Sequence, residues 1–169
     1  MLIHAIELTK IKALPILPWS EMKIAKPVAS SLMKHYRNQG FQIAKTCMEN
    51  NGIGLSGNQI GINHEMFVIR LDDQTYKVYF NSRWMPNVNS VLSEETEGCL
   101  SQPKELYKVQ RPNIINASFW ELDVNEKPVF VTKKLDGLLA RCFMHEHDHH
   151  SLKTIEGIGY LIIDHIPSL

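Results

Sequence analysis

Asp136-Gly137-Leu138-Leu139-Ala140-Arg141-Cys142-Phe143-Met144-His145-Glu146-His147-Asp148-His149-His150 is the stretch in which periodicity and chemistry point the same way. Asp136 is a good N-cap residue, and Gly137 and Leu138 open a helix behind it. Leu138, Cys142, His145 and His149 then follow at steps of four, three and four, which places them on one helical face. Within that face lies H-E-x-x-H. Imidazoles four residues apart on a helix can bind one ion together, and Glu146 can reach a water that the ion activates. The apolar members of the face predict that it is buried, which gives a catalytic ion dry surroundings. A solvated, His-rich helix end would spell the same letters, since four of the eight histidines fall between 145 and 150. Such an end would not follow Leu138-Leu139-Ala140 and Cys142-Phe143-Met144 so directly. His147 and His150 fall off this face and read as surface residues or as supports for the ligands. Asp148 reads as a hydrogen-bond partner for a ligand histidine or as half of a salt bridge.

A catalytic site of this kind needs a third protein ligand and an open position. The extended pattern H-E-x-x-H-x-x-G-x-x-H fails, because Leu152 and Ile155 stand where Gly and His are required. No Glu stands about twenty residues beyond His149, where the thermolysin type would place its third ligand. Glu156 and His165 remain as downstream options. Upstream, Cys99 stands out in Glu97-Gly98-Cys99-Leu100-Ser101. It follows the acidic run Glu94-Glu95-Thr96-Glu97, which disfavours a lone thiolate, and a divalent ion reverses that penalty. The opposing reading is a small buried hydrophobe, the commonest fate of free cysteine. Cys47 fits that fate within an apolar stripe, and Cys142 packs better on the helix than it ligates.

Outward from this helix, the chain of 169 residues suits a single domain over residues 1–169, and 44% hydrophobic residues can build a core without disulfides. Three cysteines do not form a secreted disulfide framework. With 18 basic and 18 acidic residues, the charge argues against nucleic acid or an anionic membrane as the main partner. No span-length apolar run or secretion signal is read, so a cytoplasmic protein is expected. Residues 1–27, punctuated by Pro15, Pro18 and Pro27, read as irregular or edge-like. A helix is expected from Val28 to Asn50, ended by Asn50-Asn51-Gly52. Gly52–Gln59 is too glycine-rich for a helix or a central strand. Hairpins are expected at Met66–Leu71 with Thr75–Asn81, and at Asn113–Leu122 with Pro128–Lys134. Residues 84–103 read as loop, and the apolar run Ile158–Ile163 as a strand. The sum is an α+β fold, with mostly antiparallel sheets packed around the H-E-x-x-H helix.

Three motifs stand in one order: Gly52–Gln59, Glu97–Ser101 and His145–His149. Phe80-Asn81, Arg111 and Asp136–Ala140 accompany them, over roughly residues 24–150. In this the chain resembles the peptide deformylases. The resemblance implies that family's fold and hydrolysis of the N-formyl group from polypeptides that begin with formyl-methionine. It implies one divalent metal held by Cys99, His145 and His149, with Fe(2+) native and Zn(2+) or Ni(2+) possible in purified protein. It assigns the general base to Glu146 and oxyanion donors to the Gln59 side chain and the Leu100 N–H. Substrate is expected to lie extended along a strand edge. Gly52, Ile53, Gly54, Leu55, Glu97, Gly98, Leu138, Arg141 and Cys142 are the expected substrate contacts, with Arg141 beside the pocket for the methionine side chain. The implied partner is the nascent formylated chain, near the ribosome exit, with no nucleic acid or membrane required and a monomeric enzyme. Two other readings use the same helix: a zinc peptidase with Glu156 or His165 as third ligand, and a catalytically silent metal-binding adaptor. Intact Glu146, Gln59 and Cys99 argue against the adaptor. The chain departs from the family at Ser56-Gly57, usually two alanines, at Met144, usually Gln, and at His150, usually a bulky apolar residue. It departs also at Arg141, where an apolar residue is preferred beside the methionine pocket. There the arginine is expected to narrow or polarise the pocket. Lys104 and Lys108 are candidates for contacts to the downstream peptide.

Overall fold

The computed structural model describes residues 1–163 and builds them from two antiparallel sheets and a few helices. The strands are β1 (Leu2–His4), β2 (Gly54–Ser56), β3 (Met66–Asp72), β4 (Thr75–Pro86), β5 (Leu92–Cys99), β6 (Gln102–Pro112), β7 (Ile114–Leu122), β8 (Pro128–Asp136) and β9 (Gly159–Ile163). The helices are α1 (Arg37–Glu49), α2 (Gly137–His150) and the single turn α3 (Ile155–Ile158). The larger sheet runs β2-β3-β4-β7-β8, with β1 added to β4, and the smaller runs β5-β6-β9. All these strand pairs are antiparallel, as expected for the α+β class.

The core follows from strand alternation. Met66-Phe67-Val68-Ile69 of β3 is buried on both faces. Met66 and Val68 join Phe41, Ile43, Ala44 and Cys47 of α1. Phe67 and Ile69 face the other way and join Tyr79, Phe119, Phe143 and Met144 under α2. Phe143 meets Phe67 edge-on at 5.2 Å between centroids and Tyr79 at 5.4 Å. Each such side chain contributes about 1.5–3 kcal/mol by leaving water. One face of α2 is thereby pinned to the larger sheet, and its neighbouring face is left to the smaller one.

Several expectations need correction. The first helix begins at Arg37, not Val28. The Asn81 side chain takes both the N–H and the C=O of Val28, at 2.8 and 2.7 Å, and this bridge holds the segment out of the helix. Residues 84–103 are not a loop: β4 continues to Pro86 and β5 occupies Leu92–Cys99. In β5 Glu94, Glu95 and Thr96 are exposed, while Glu97 and Cys99 are buried. β6 follows, with Tyr107, Val109 and Arg111 inward. Asp136 occupies the N-cap of α2 but makes no side-chain cap bond; it is paired with Ile114 in the sheet. Gly137, at φ +53, turns the strand into the helix. The face Leu138-Cys142-His145-His149 is not uniformly buried. Leu138 is 64% exposed at its outer end, while His149 at its inner end is 1% exposed. His150 is buried at 4% exposure rather than on the surface. No helix among the described residues is long and apolar enough to cross a membrane.

Candidate metal centre

The smaller sheet and α2 each bring part of the site. Cys99 is the last residue of β5, at the turn into β6. His145 and His149 stand one turn apart on α2. Ligand atoms of Cys99, His145 and His149 lie within 4.8 Å of one another, the one cluster of this kind among the described residues. Cys99 Sγ is 3.5 Å from His149 Nε2. His145 Nδ1 donates to Glu97 Oε2 at 2.9 Å, which leaves its Nε2 available to an ion. Of the other options for a third ligand, Glu156 is exposed on α3 and outside the cluster, and His165 lies outside the described residues.

Without an ion the site holds a proton. Burial opposes a charge on His145, but hydrogen bonds to Cys99 and Glu97 outweigh it and hold the imidazole up at about 10, so an ion at its Nε2 would displace that proton. Burial, and then the charges of His145 and His150, push His149 well below the ordinary range, into the neutral form that ligates. Burial likewise works against the Glu97 carboxylate, yet hydrogen bonds from His145 and Arg111 hold it down at about 2. A thiolate and two imidazoles form a donor set that borderline divalent ions prefer. His149 Nδ1 and Glu146 Oε2 are buried with no hydrogen-bond partner, so the site has polar capacity to spare. On these grounds the residues fit one divalent ion.

Glu146 lies beside this cluster at 3% exposure, and burial pushes its carboxyl up to about 7. Gln59 comes from the 3-10 turn Gly57–Ile60 after β2. Its Oε1 accepts the Ser56 N–H at 2.9 Å, which fixes the amide. Its Nε2 then donates to Ser101 Oγ at 3.2 Å and lies 3.5 Å from Cys99 Sγ. Asn58 of the same turn donates to the His149 carbonyl at 2.6 Å, tying the turn to α2. β2 is an edge strand and passes close to Glu146. A Cβ on Gly54 would come within 2.5 Å of Glu146 Oε1 and 2.7 Å of Cys142 Sγ, so this position demands glycine.

These groups open into a cavity of about 340 Å³. Gly52, Ile53, Gly54, Glu97, Gly98, Leu138, Arg141 and Cys142 line it, together with Gln59, Leu100, Cys99, His145 and Glu146. Leu55 is the exception among the expected substrate contacts. Its side chain is fully buried in the core under α1, because alternation along β2 turns it away from Gly54. Lys104 and Lys108 do not line the cavity; Gln102, Pro103, Glu105 and Leu106 of β6 do.

A family model for polypeptide deformylases matches residues 20–169. The chain belongs to the polypeptide deformylase family. It is 31% identical to the peptide deformylase of Agrobacterium fabrum over 163 residues, covering 94% of this chain and 89% of that one. It is 37% identical over 121 residues to the peptide deformylase of Pelagibacter ubique, covering 70% of this chain but only 64% of that relative's length. A crystal structure of a peptide deformylase from Legionella pneumophila superposes with a TM-score of 0.67 at 31% identity, covering 87% of this chain and 86% of that one. Of the expected departures from the deformylase pattern, Arg141 is the one that lines the cavity. Its terminal nitrogens bind Glu97 Oε1 at 2.6 Å, the Val109 carbonyl at 3.0 Å, and the Ser93 carbonyl and Oγ at 2.8 and 3.1 Å. Its charge is engaged by the smaller sheet rather than by the cavity.

Proposed function

We infer that the protein is a metal-dependent peptide deformylase. It removes the N-formyl group from the formyl-methionine that begins nascent polypeptides and releases formate. The observation that carries this reading is the convergence of Cys99, His145 and His149 within 4.8 Å, beside Glu146, in a member of the deformylase family. Cys99, His145 and His149 would hold one divalent ion, with Fe(2+) native and Zn(2+) or Ni(2+) able to occupy the same donors. When bound, that ion would supply Lewis acidity for a water and for the formyl oxygen.

The chain's own residues do the rest. Glu146 accepts the proton of the attacking water as the bond to the formyl carbon forms. It returns that proton to the leaving amine as the C–N bond breaks. Burial raises this carboxyl in the metal-free protein, and a raised carboxyl is the kind that can both take and return a proton near neutral pH. Gln59 Nε2–H and the Leu100 N–H donate to the oxyanion that develops between the two events. The edge of β2 at Gly52 and Gly54 offers backbone groups to an extended peptide. The substrate is a chain emerging from synthesis, met in the cytoplasm by a monomeric enzyme that needs neither nucleic acid nor membrane.

Loading the protein with Fe(II) or Ni(II) and assaying formate from formyl-Met-Ala-Ser tests this reading. Formate is expected from wild type and not from Cys99→Ser; retained activity in Cys99→Ser would contradict the ligand set. Gln59→Leu is expected to lower kcat about 10²–10³-fold with metal content unchanged. Steady-state kinetics check this, and a change confined to KM would remove Gln59 from the oxyanion role.

A further inference from the structure

We propose that Arg141 is a positioning residue that sets the spacing between Cys99 and the two histidines. The inference rests on the metal-site reading above. The ligands come from two separate parts of the fold, Cys99 from the smaller sheet and His145 and His149 from α2. What fixes those parts relative to each other fixes the site. Two buried arginines cross the gap in opposite directions. Arg111 starts on β6 and reaches Asp148 of α2, Nη1 to Oδ2 at 2.7 Å. Arg141 starts on α2, one turn before His145, and reaches back to Ser93 and Glu97 of β5 and Val109 of β6.

Both arginines meet on Glu97. Its Oε1 accepts from Arg141 Nη1 at 2.6 Å and from Arg111 Nε at 2.7 Å. Its Oε2 accepts from Arg111 Nη2 at 3.1 Å and from His145 Nδ1 at 2.9 Å. The carboxylate that orients His145 is therefore itself held by a two-bond fork from Arg111 and a single bond from Arg141, two residues before Cys99. Arg141 alone binds three residues on two strands with its two terminal nitrogens. A lysine keeps the charge but presents one compact donor centre, and it cannot span those acceptors at once. An apolar side chain reaches none of them. Groups that orient a ligand from outside commonly change metal affinity by about 10–100-fold when lost.

The test is Co(II) binding, followed by the thiolate-to-cobalt absorption band and by competition with a chelator, in wild type, Arg141→Met and Arg141→Lys. Thermal unfolding of the metal-free proteins runs alongside. Arg141→Met is expected to bind Co(II) at least about 10-fold more weakly with a shifted band. Arg141→Lys is expected to fall between it and wild type. Wild-type affinity and band position in Arg141→Met would overturn the inference, even if its unfolding temperature fell, because the arginine would then only stabilise the fold. Tighter binding in Arg141→Met would also overturn it, by assigning the residue an effect of charge rather than of position. If Arg141→Met does not fold, Arg141→Lys decides: an unchanged affinity and band would overturn the proposal. Failure of wild type to bind Co(II) would instead remove the metal site on which the inference stands.

Discussion

Glu146→Gln is expected to bind metal as wild type does but to release formate about 10²–10⁴ times more slowly. Gln keeps the volume of the side chain in a place with no room to spare, since Gly54 approaches the carboxyl too closely for even a methyl group between them. What Gln lacks is a proton acceptor. Glu146 Oε2 has no hydrogen-bond partner within the protein, and burial raises the carboxyl to about 7. A buried acceptor so arranged serves no evident structural bond and is poised for a proton. The ratio of kcat values, with metal content measured on the same samples, checks the prediction. A loss of less than a few-fold would transfer the base role elsewhere.

Arg111→Met is expected to destabilise the fold by about 3–5 kcal/mol at neutral pH. That corresponds to a fall of roughly 10 °C in Tm for a domain of this size. Arg111 pairs with Glu97 and Asp148, and all three side chains are nearly inaccessible. Removing the arginine leaves buried carboxylates short of partners, although Arg141 still holds one oxygen of Glu97. The pH dependence follows from the shift of Glu97, whose folded value of about 2 lies below its ordinary 4.5. A depressed carboxyl contributes stability that is complete above its ordinary value and is lost as pH falls toward the folded one. Wild-type stability from this carboxylate should therefore be full above about pH 5 and fall as pH drops toward 2, and the part of it that Arg111 supplies, beside the His145 bond that the variant keeps, should be lost from the difference over the same fall. Denaturant titrations of both proteins across this range measure it, and a pH-independent difference would assign the effect to packing alone.

Legibility in the sequence followed the physics of each segment. The α2 helix could be read because its periodicity and its ligand spacing coincide. The β3–β4 and β7–β8 hairpins could be read because apolar strands flank short polar turns. The start of α1 could not, because it depends on Asn81 gripping Val28 from more than fifty residues away. β5 was hidden by its own chemistry, since Glu94, Glu95 and Thr96 are exposed and only Glu97 and Cys99 turn inward. β6 did carry a signal in the alternation Tyr107, Val109, Arg111, with an arginine standing where an apolar residue would be expected. Without that strand the cavity wall from Gln102 to Leu106 was invisible. His150 was misplaced because α2 is packed on more than one face, so a residue off the ligand face still meets Phe67 under the larger sheet. The three residues of the candidate cluster could be singled out, since both histidines and the Cys99 motif are local; what the structure adds is that they converge and that two arginines join the elements carrying them.

The most direct measurement is mass analysis of formyl-Met-Ala-Ser after incubation with Fe(II)-loaded protein under anaerobic conditions, with formate quantified in parallel. The account predicts one formate per peptide consumed and a deformylated tripeptide whose peptide bonds are intact. Cleavage at an internal bond, or no formate from protein that carries its full complement of metal, would contradict it.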